Sequence, residues 1–385
     1  MKLLRYILPL IILIVTFYAC IEEYFPPDVK DEPNRYLTVN GIIYNDDSLK
    51  TIILSRSKGA LDPDTIYEMV NDAQVTIIDD LDNSITFFQS ENGIYQSDFQ
   101  PQHERIYQLS IIDEFGTEYQ SDRVSMEFTP EIDSIYWKMK IDPYSEDEEY
   151  QGIDIRVSTH NNTSQYSYYK WDWTETWEIH ARYRAGYEYV DGEVILTNRI
   201  PYACWMEDNT ADIIIGNTES LSKNQITDKI IQVIPFTQNK LHVRYSILVR
   251  QYALDKEAYN FWHNLQNSNE TSGSLFDRQP TELKGNIRNL SNPQEPVMGY
   301  FDIYEVKQKR LFIDRDEIPI VRGITDGYSD CEPITISPGE IEDYVRRGYH
   351  IYELIREGLN IYWVVVKEDC SDCRTRGSDI KPIFW

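Results

Sequence analysis

The residues of this 385-residue chain best placed to do chemistry are its five cysteines. Cys20 follows Ala19 at the end of a short apolar run, where a lipoprotein signal peptidase needs a small residue before the cysteine that receives lipid. The other four, Cys204, Cys331, Cys370 and Cys373, are an even number, and in an exported chain that points to disulfides with three connectivities open. Cys370-Ser-Asp-Cys373 has the spacing of half a zinc site or a redox pair, but no second such pair, no nearby histidine pair and no thioredoxin-like pattern accompanies it.

Aromatic residues form the second unusual group. Within Tyr166–Trp177, the residues Tyr169, Trp171, Trp173 and Trp177 share one side of an extended strand, because side chains repeat every second residue. Trp171, Trp173 and Trp177 form either a platform for sugar rings or the core of a sandwich, and the burial preference of large rings favours core.

Catalytic signatures are absent. There is no Gly-x-Ser-x-Gly, His-Glu-x-x-His, P-loop or GxGxxG, and the six histidines are dispersed. A glycosidase needs only two converging carboxylates, so a hydrolase of glycans or peptides stays open as a third reading. The acidic stretch Asp142–Glu149 lacks the spacing of a calcium loop and reads as a solvated hairpin. No catalytic residue, metal or cofactor is expected. Three Asp-Ser/Thr-apolar tripeptides, beginning at Asp47, Asp64 and Asp133, resemble short O-glycosylation motifs.

The elements that must position these groups start with a leader. Lys2 and Arg5 precede the apolar run Ile7–Val15, which is short for a membrane span and interrupted by Pro9. Residues 1–19 therefore read as a signal peptide, with an uncleaved anchor as the alternative. Residues 20–35 are acidic and Pro-rich, an extended tether in which Glu22 and Glu23 resemble the export signal of surface lipoproteins. The expected location is the outer membrane, lipid-anchored, at the cell surface. A net charge of −27 and a pI near 4.6 exclude nucleic acid and electrostatic docking on anionic lipid, leaving the anchoring to the lipid on Cys20.

The body is expected to be mainly β, with two β-sandwich regions of immunoglobulin or transthyretin-like type and a few short helices. Residues 36–129 hold seven short alternating strands, and residues 130–385 form a larger β-rich domain. The Val75/Ile77 and Leu109/Ile111 alternations place one face of each strand inside. One strand is expected over Thr117–Val124, and others over 132–137, 153–157, 349–354 and 359–366. Asp255 caps a helix near 255–267, and Ser337-Pro-Gly-Glu340 is a capping box opening a helix over 338–347.

The blocks Leu241–Leu254, Glu257–Trp262, Gly273–Asp277, Pro280–Ile287, Pro296–Phe301, Lys309–Ile313 and Asp372–Gly377, with Lys381-Pro-Ile-Phe-Trp385, are similar to a Bacteroidota lipoprotein family of unknown function (domain of unknown function 4249). Members often have a Gly pair where this chain has Gly377-Ser378. The resemblance implies an accessory lipoprotein encoded beside TonB-dependent receptors, with such a receptor as partner and no family catalytic residues. It also likens the N-terminal sandwich to carboxypeptidase-regulatory-like modules, which bind rather than catalyse.

Overall fold

The computed structural model describes residues 36–57, 67–140, 151–162, 166–270, 284–319 and 324–385. The signal peptide and tether, with Cys20, Glu22 and Glu23, lie outside these residues, as do the Asp142–Glu149 stretch and the tripeptide at Asp64. The fold is mainly β with few short helices, as the alternating pattern requires.

Period-two burial builds the first layer. Leu37–Asn45 (β1) and Lys50–Ser57 (β2) bury alternate residues and pair antiparallel. Tyr67–Met69 (β3) adds to β2, and Gln74–Asp79 (β4), Ser84–Glu91 (β5), Ile94–Ser97 (β6) and Ile106–Ile112 (β7) follow. The corner is β5, whose first half pairs with β4 and second half with β6. The ladder thus folds over, and Val75, Ile77, Leu109 and Ile111 share one core with Leu37, Ile52 and Leu54. Instead of one strand over Thr117–Val124 there are two, Glu118–Ser121 (β8) and Val124–Ser125 (β9). The Ser121 hydroxyl accepts the Leu109 N–H at 2.8 Å and Asp122 N–H donates to Asn286 O at 2.7 Å, which breaks the ladder between them.

The second sandwich faces a three-stranded sheet against a larger one. Ile132–Lys140 (β10) and Gly152–His160 (β11) pair, and Gln225–Pro235 (β17) completes that sheet. Between them in sequence come Tyr168–His180 (β12), Tyr187–Val190 (β13), Glu193–Leu196 (β14), Ala203–Asn209 (β15) and Ile214–Asn217 (β16). Strands β15 and β16 both pair with β12, whose other edge meets Arg244–Leu254 (β18). Helix α1 (Lys256–Glu270) follows, capped as expected by Asp255, whose carboxylate accepts the Ala258 N–H at 2.7 Å.

Two late strands join the sandwiches. Ile287–Asn289 (β19) pairs with β8, and Met298–Asp314 (β20) runs through both bodies. Its residues 298–305 lie parallel to Thr38–Asn45, and residues 306–314 lie antiparallel to β18. The span 36–129 is therefore not a closed sandwich by itself. The open edge of β1 needs a partner, and Ile287, Val297, Phe301 and Ile303 complete the first core. The boundary near Pro130 is a lock rather than a linker: Thr129 N–H donates to Glu305 Oε2 at 2.7 Å, and Pro130 O accepts from Gln251 at 2.8 Å. Aromatic residues of α1 cover this join, with Phe261 stacked on Tyr300 at 4.5 Å and Trp262 donating to the Tyr304 hydroxyl at 2.9 Å.

A separate five-stranded sheet contains β14, β13, Tyr349–Glu357 (β22), Asn360–Lys367 (β23) and Ile334–Ile336 (β21). It packs on the short helix α2 (Ile341–Arg346). The Ser337–Glu340 capping box forms here, with Ser337 N–H donating to Glu340 Oε2 at 2.8 Å.

Candidate functional site

The four cysteines expected to pair do so, as Cys204–Cys373 and Cys331–Cys370. The two halves of Cys370-Ser-Asp-Cys373 thus go to different partners, which removes both the zinc and the redox-pair readings. Each bridge ties the C-terminal segment to an earlier element, Cys204 lying on β15.

The tryptophan platform is corrected. Trp171, Trp173 and Trp177 are 0%, 6% and 5% exposed, inside the second core with Tyr169, Ile155 and Val249. A sugar ring cannot reach them. Two of the three indole N–H groups are used internally: Trp171 Nε1 donates to Gln251 at 2.9 Å and Trp173 Nε1 to Ile231 O at 3.2 Å.

On the opposite face of β12 is a charged cluster that sequence reading did not single out. Lys170 is buried between the rings of Tyr252 and Trp262, at 5.0 and 4.9 Å, with Asp172 at 3.7 Å. Asp172 also accepts from Arg250 Nε at 2.5 Å and the Tyr252 hydroxyl at 2.7 Å. Burial pushes the Lys170 ammonium below its ordinary pKa, while neighbouring Asp172 opposes that shift. These charges are satisfied by one another and join β12 to β18 and α1. Their signal, alternate charges at 170 and 172 in an aromatic strand, was visible but not specific.

A recess is present elsewhere, in the first sandwich. A cleft of about 690 Å³ opens between the end of β2, β3, the β7–β8 turn and the 292–296 loop that leads into β20. Its floor is an ion pair of Arg56 and Asp113. The turn after β7 forms because Asp113 Oδ1 accepts the N–H groups of Phe115 and Thr117, at 3.0 and 2.8 Å, and Gly116 takes the positive φ the turn needs. Asp113 Oδ2 faces Arg56 and the Tyr119 hydroxyl, the latter at 3.4 Å. Burial works against the Arg56 charge, but Tyr119 and Asp113 beside it raise the guanidinium pKa overall; burial raises that of the Tyr119 phenol. Glu68, Glu114 and Glu295 line the walls, and Phe115, 79% exposed, stands at the rim 5.7 Å from Arg56.

The 292–296 wall is held to the sandwich: Leu290 N–H donates to Glu118 O at 2.8 Å, and Asn289 Oδ1 accepts from Ser291 and Asn292 N–H, both at 2.9 Å. Residues far apart in sequence therefore build one recess, which no local motif announces. Among the described residues no group of three His, Cys, Asp or Glu is arranged to hold a metal ion. No helix among them is long and apolar enough to cross a membrane.

No curated protein matches the chain in sequence. The model of a family described as Domain of unknown function (DUF4249) matches residues 22–310, well over half of the chain, and the chain belongs to that family.

Proposed function

We propose that the chain is a non-enzymatic lipoprotein of the outer membrane, displayed at the cell surface, that works beside a TonB-dependent receptor in capturing or admitting a substrate. Lipid on Cys20 supplies the anchor and Glu22-Glu23 the surface address. The receptor supplies the pore and the energy coupling. The observation that supports this reading most is the construction of the Arg56 cleft. Asp113 has its acceptors taken up by two backbone N–H groups and Arg56, so it is a strut rather than a proton acceptor. What remains is an acidic-walled recess with an apolar ring in solvent at its rim, a shape suited to holding a partner segment. The sugar-platform alternative falls with the burial of its rings, and no observation favours a hydrolase.

The test is immunoprecipitation of the full, lipidated protein from native outer membranes. Recovery of a TonB-dependent barrel in stoichiometric amount is the expected result, and Phe115→Ala should reduce it by about tenfold. Recovery of the lipoprotein alone, in detergent that preserves known barrel complexes, would overturn the proposal.

A further inference from the structure

Residues 378–385 lie against the outward face of the second sandwich. Strand β15 ends its sheet, and there Trp205 and Ser378 exchange backbone hydrogen bonds at 2.8 and 2.9 Å. Farther along, the segment is held by two rings. Trp385 packs edge-on to Phe312 at 5.8 Å and to Trp205 at 6.5 Å, and its Nε1 donates to Glu178 Oε2 at 3.2 Å. Arg244 lies 5.6 Å from the Trp385 ring, and the Arg310 guanidinium 3.5 Å from that of Phe384.

The sheet beneath is built around this contact. Trp173, Trp177 and Tyr245 face the core, so by period two Thr176 and Glu178 of β12 and Ser246 of β18 face outward. Thr176, Ser246 and Phe312 form one cross-strand row, and in the next row Glu178 is opposite both Trp205 and Arg244. An outward row is ordinarily wet, yet Thr176 and Ser246 are 2% and 0% exposed. Arg310, which donates to the Ser246 hydroxyl at 2.9 Å, helps close it with the Phe384 ring it carries. The closure is imperfect in its polar groups. Thr176 Oγ1 and Trp205 Nε1 are shut off from water without a hydrogen-bond partner, which costs free energy. Ile380 and Ile383 of the segment stand in solvent, so its hold rests on the aromatic pair.

We propose that this face is a recognition groove for an extended, aromatic-bearing segment of another protein, and that residues 378–385 occupy it in cis as an autoinhibitory strap. The strap displays the chemistry of the ligand. Its backbone pairs at the edge of β15, an indole sits against Trp205 and Phe312 with its N–H on Glu178, and a second ring rests on Arg310. Backbone pairing at a sheet edge supplies affinity, and the side-chain seats supply choice. Carried on the same chain, the strap acts at an effective concentration of about millimolar and excludes a free segment of equal affinity. A partner segment that also offers Thr176 Oγ1 and Trp205 Nε1 a hydrogen bond is better matched than the strap and displaces it. This inference is independent of the Arg56 cleft and of the receptor reading.

The probe is a fluorescein-labelled peptide with the sequence of residues 378–385, titrated with the full chain and followed by fluorescence anisotropy. The parent should bind it weakly. Phe384→Ala with Trp385→Ala empties both seats and should bind it about tenfold more tightly. Adding Glu178→Ala or Arg310→Ala to that variant should remove most of the gain. Trp385→Ala alone opens one seat and should give a smaller gain, which keeps the test alive if the double variant does not fold. A variant that keeps the parent's circular dichroism but binds no better overturns the proposal. So does a gain indifferent to both Glu178→Ala and Arg310→Ala, as expected of adhesion to bared apolar surface. Loss of fold in both strap variants would make the segment a structural clasp and overturn it equally.

Discussion

The two sandwiches are held by different kinds of interior. The first core is Leu, Ile, Val, Phe, Tyr and one Met, without tryptophan, and its strands bury alternate side chains against one another. The second contains three tryptophans and polar groups closed off from water. Gln251, 0% exposed, accepts from Trp171 and donates to Pro130 O and Thr159 Oγ1. Glu175, also buried, accepts from the Tyr245 hydroxyl at 2.7 Å and from Lys240, which sits over the Trp177 ring. Apolar alternation needs only the right residue classes, and neighbours in volume substitute for one another. A closed polar network needs particular atoms, so each member constrains several others. The tryptophan and polar core of the second body should therefore be more sensitive to single changes than the apolar core of the first.

That contrast can be broken most strongly at the covalent ties, which only the second region has. Cys204–Cys373 closes a separation of 169 residues, and replacing Cys204 with Ala should cost about 5 kcal/mol by release of loop entropy alone. Urea unfolding followed by tryptophan fluorescence measures it, since no tryptophan lies in the first core. A midpoint unchanged from the parent would mean that the bridge is idle.

A pair of nearly volume-conserving changes sharpens the comparison next. Gln251→Leu leaves the Trp171 N–H, the Pro130 carbonyl and the Thr159 hydroxyl short of a partner and should cost about 3 kcal/mol. Ile77→Val in the first core should cost about 1 kcal/mol. Equal losses in the same denaturant series would erase the distinction between the two interiors.

The smallest effect concerns the join. Asp302 is buried on β20, and burial pushes its carboxyl well above the usual carboxylate range; nearby Asp255 and Glu127 push the same way, against the Ile303 N–H. A carboxyl raised on folding keeps a proton that the unfolded chain sheds. Its contribution to stability is fully present below the unfolded pKa, at about pH 4, and is lost as pH rises through the folded value. Asp302→Asn, which cannot ionise, should match the parent in acid and exceed it increasingly toward neutral pH. Thermal unfolding across that pH range checks this, and an asparagine variant that weakens with rising pH relative to the parent would reverse the assignment.

The sequence was most readable where structure is local. The alternations of β4 and β7, the cap at Asp255 and the Ser337–Glu340 box all depend on residues a few positions apart. Strand β17 was missed because the left-handed Asp228 shifts its register and breaks period two. Strand β20 was visible only as blocks of family likeness, since its middle bears exposed Gln308 and Lys309 and its parallel partner lies some 260 residues earlier. For the tryptophan strand, period two placed the rings on one face but could not say what covers it. The Arg56 cleft was illegible for a similar reason: its walls come from segments separated by the whole second sandwich, and only the tertiary fold brings Glu295 near Arg56.

The parallel register of β1 and β20 has a mechanical consequence. A pull on the chain preceding Leu37 acts along β1, so the eight paired positions from Thr38 to Asn45 are loaded in shear together rather than peeled one at a time. Because β20 continues without interruption into the ladder with β18, that load passes into the second sandwich through a single covalent ribbon. Under tension the molecule should behave as one stiff body, with strain appearing first in segments outside this ladder.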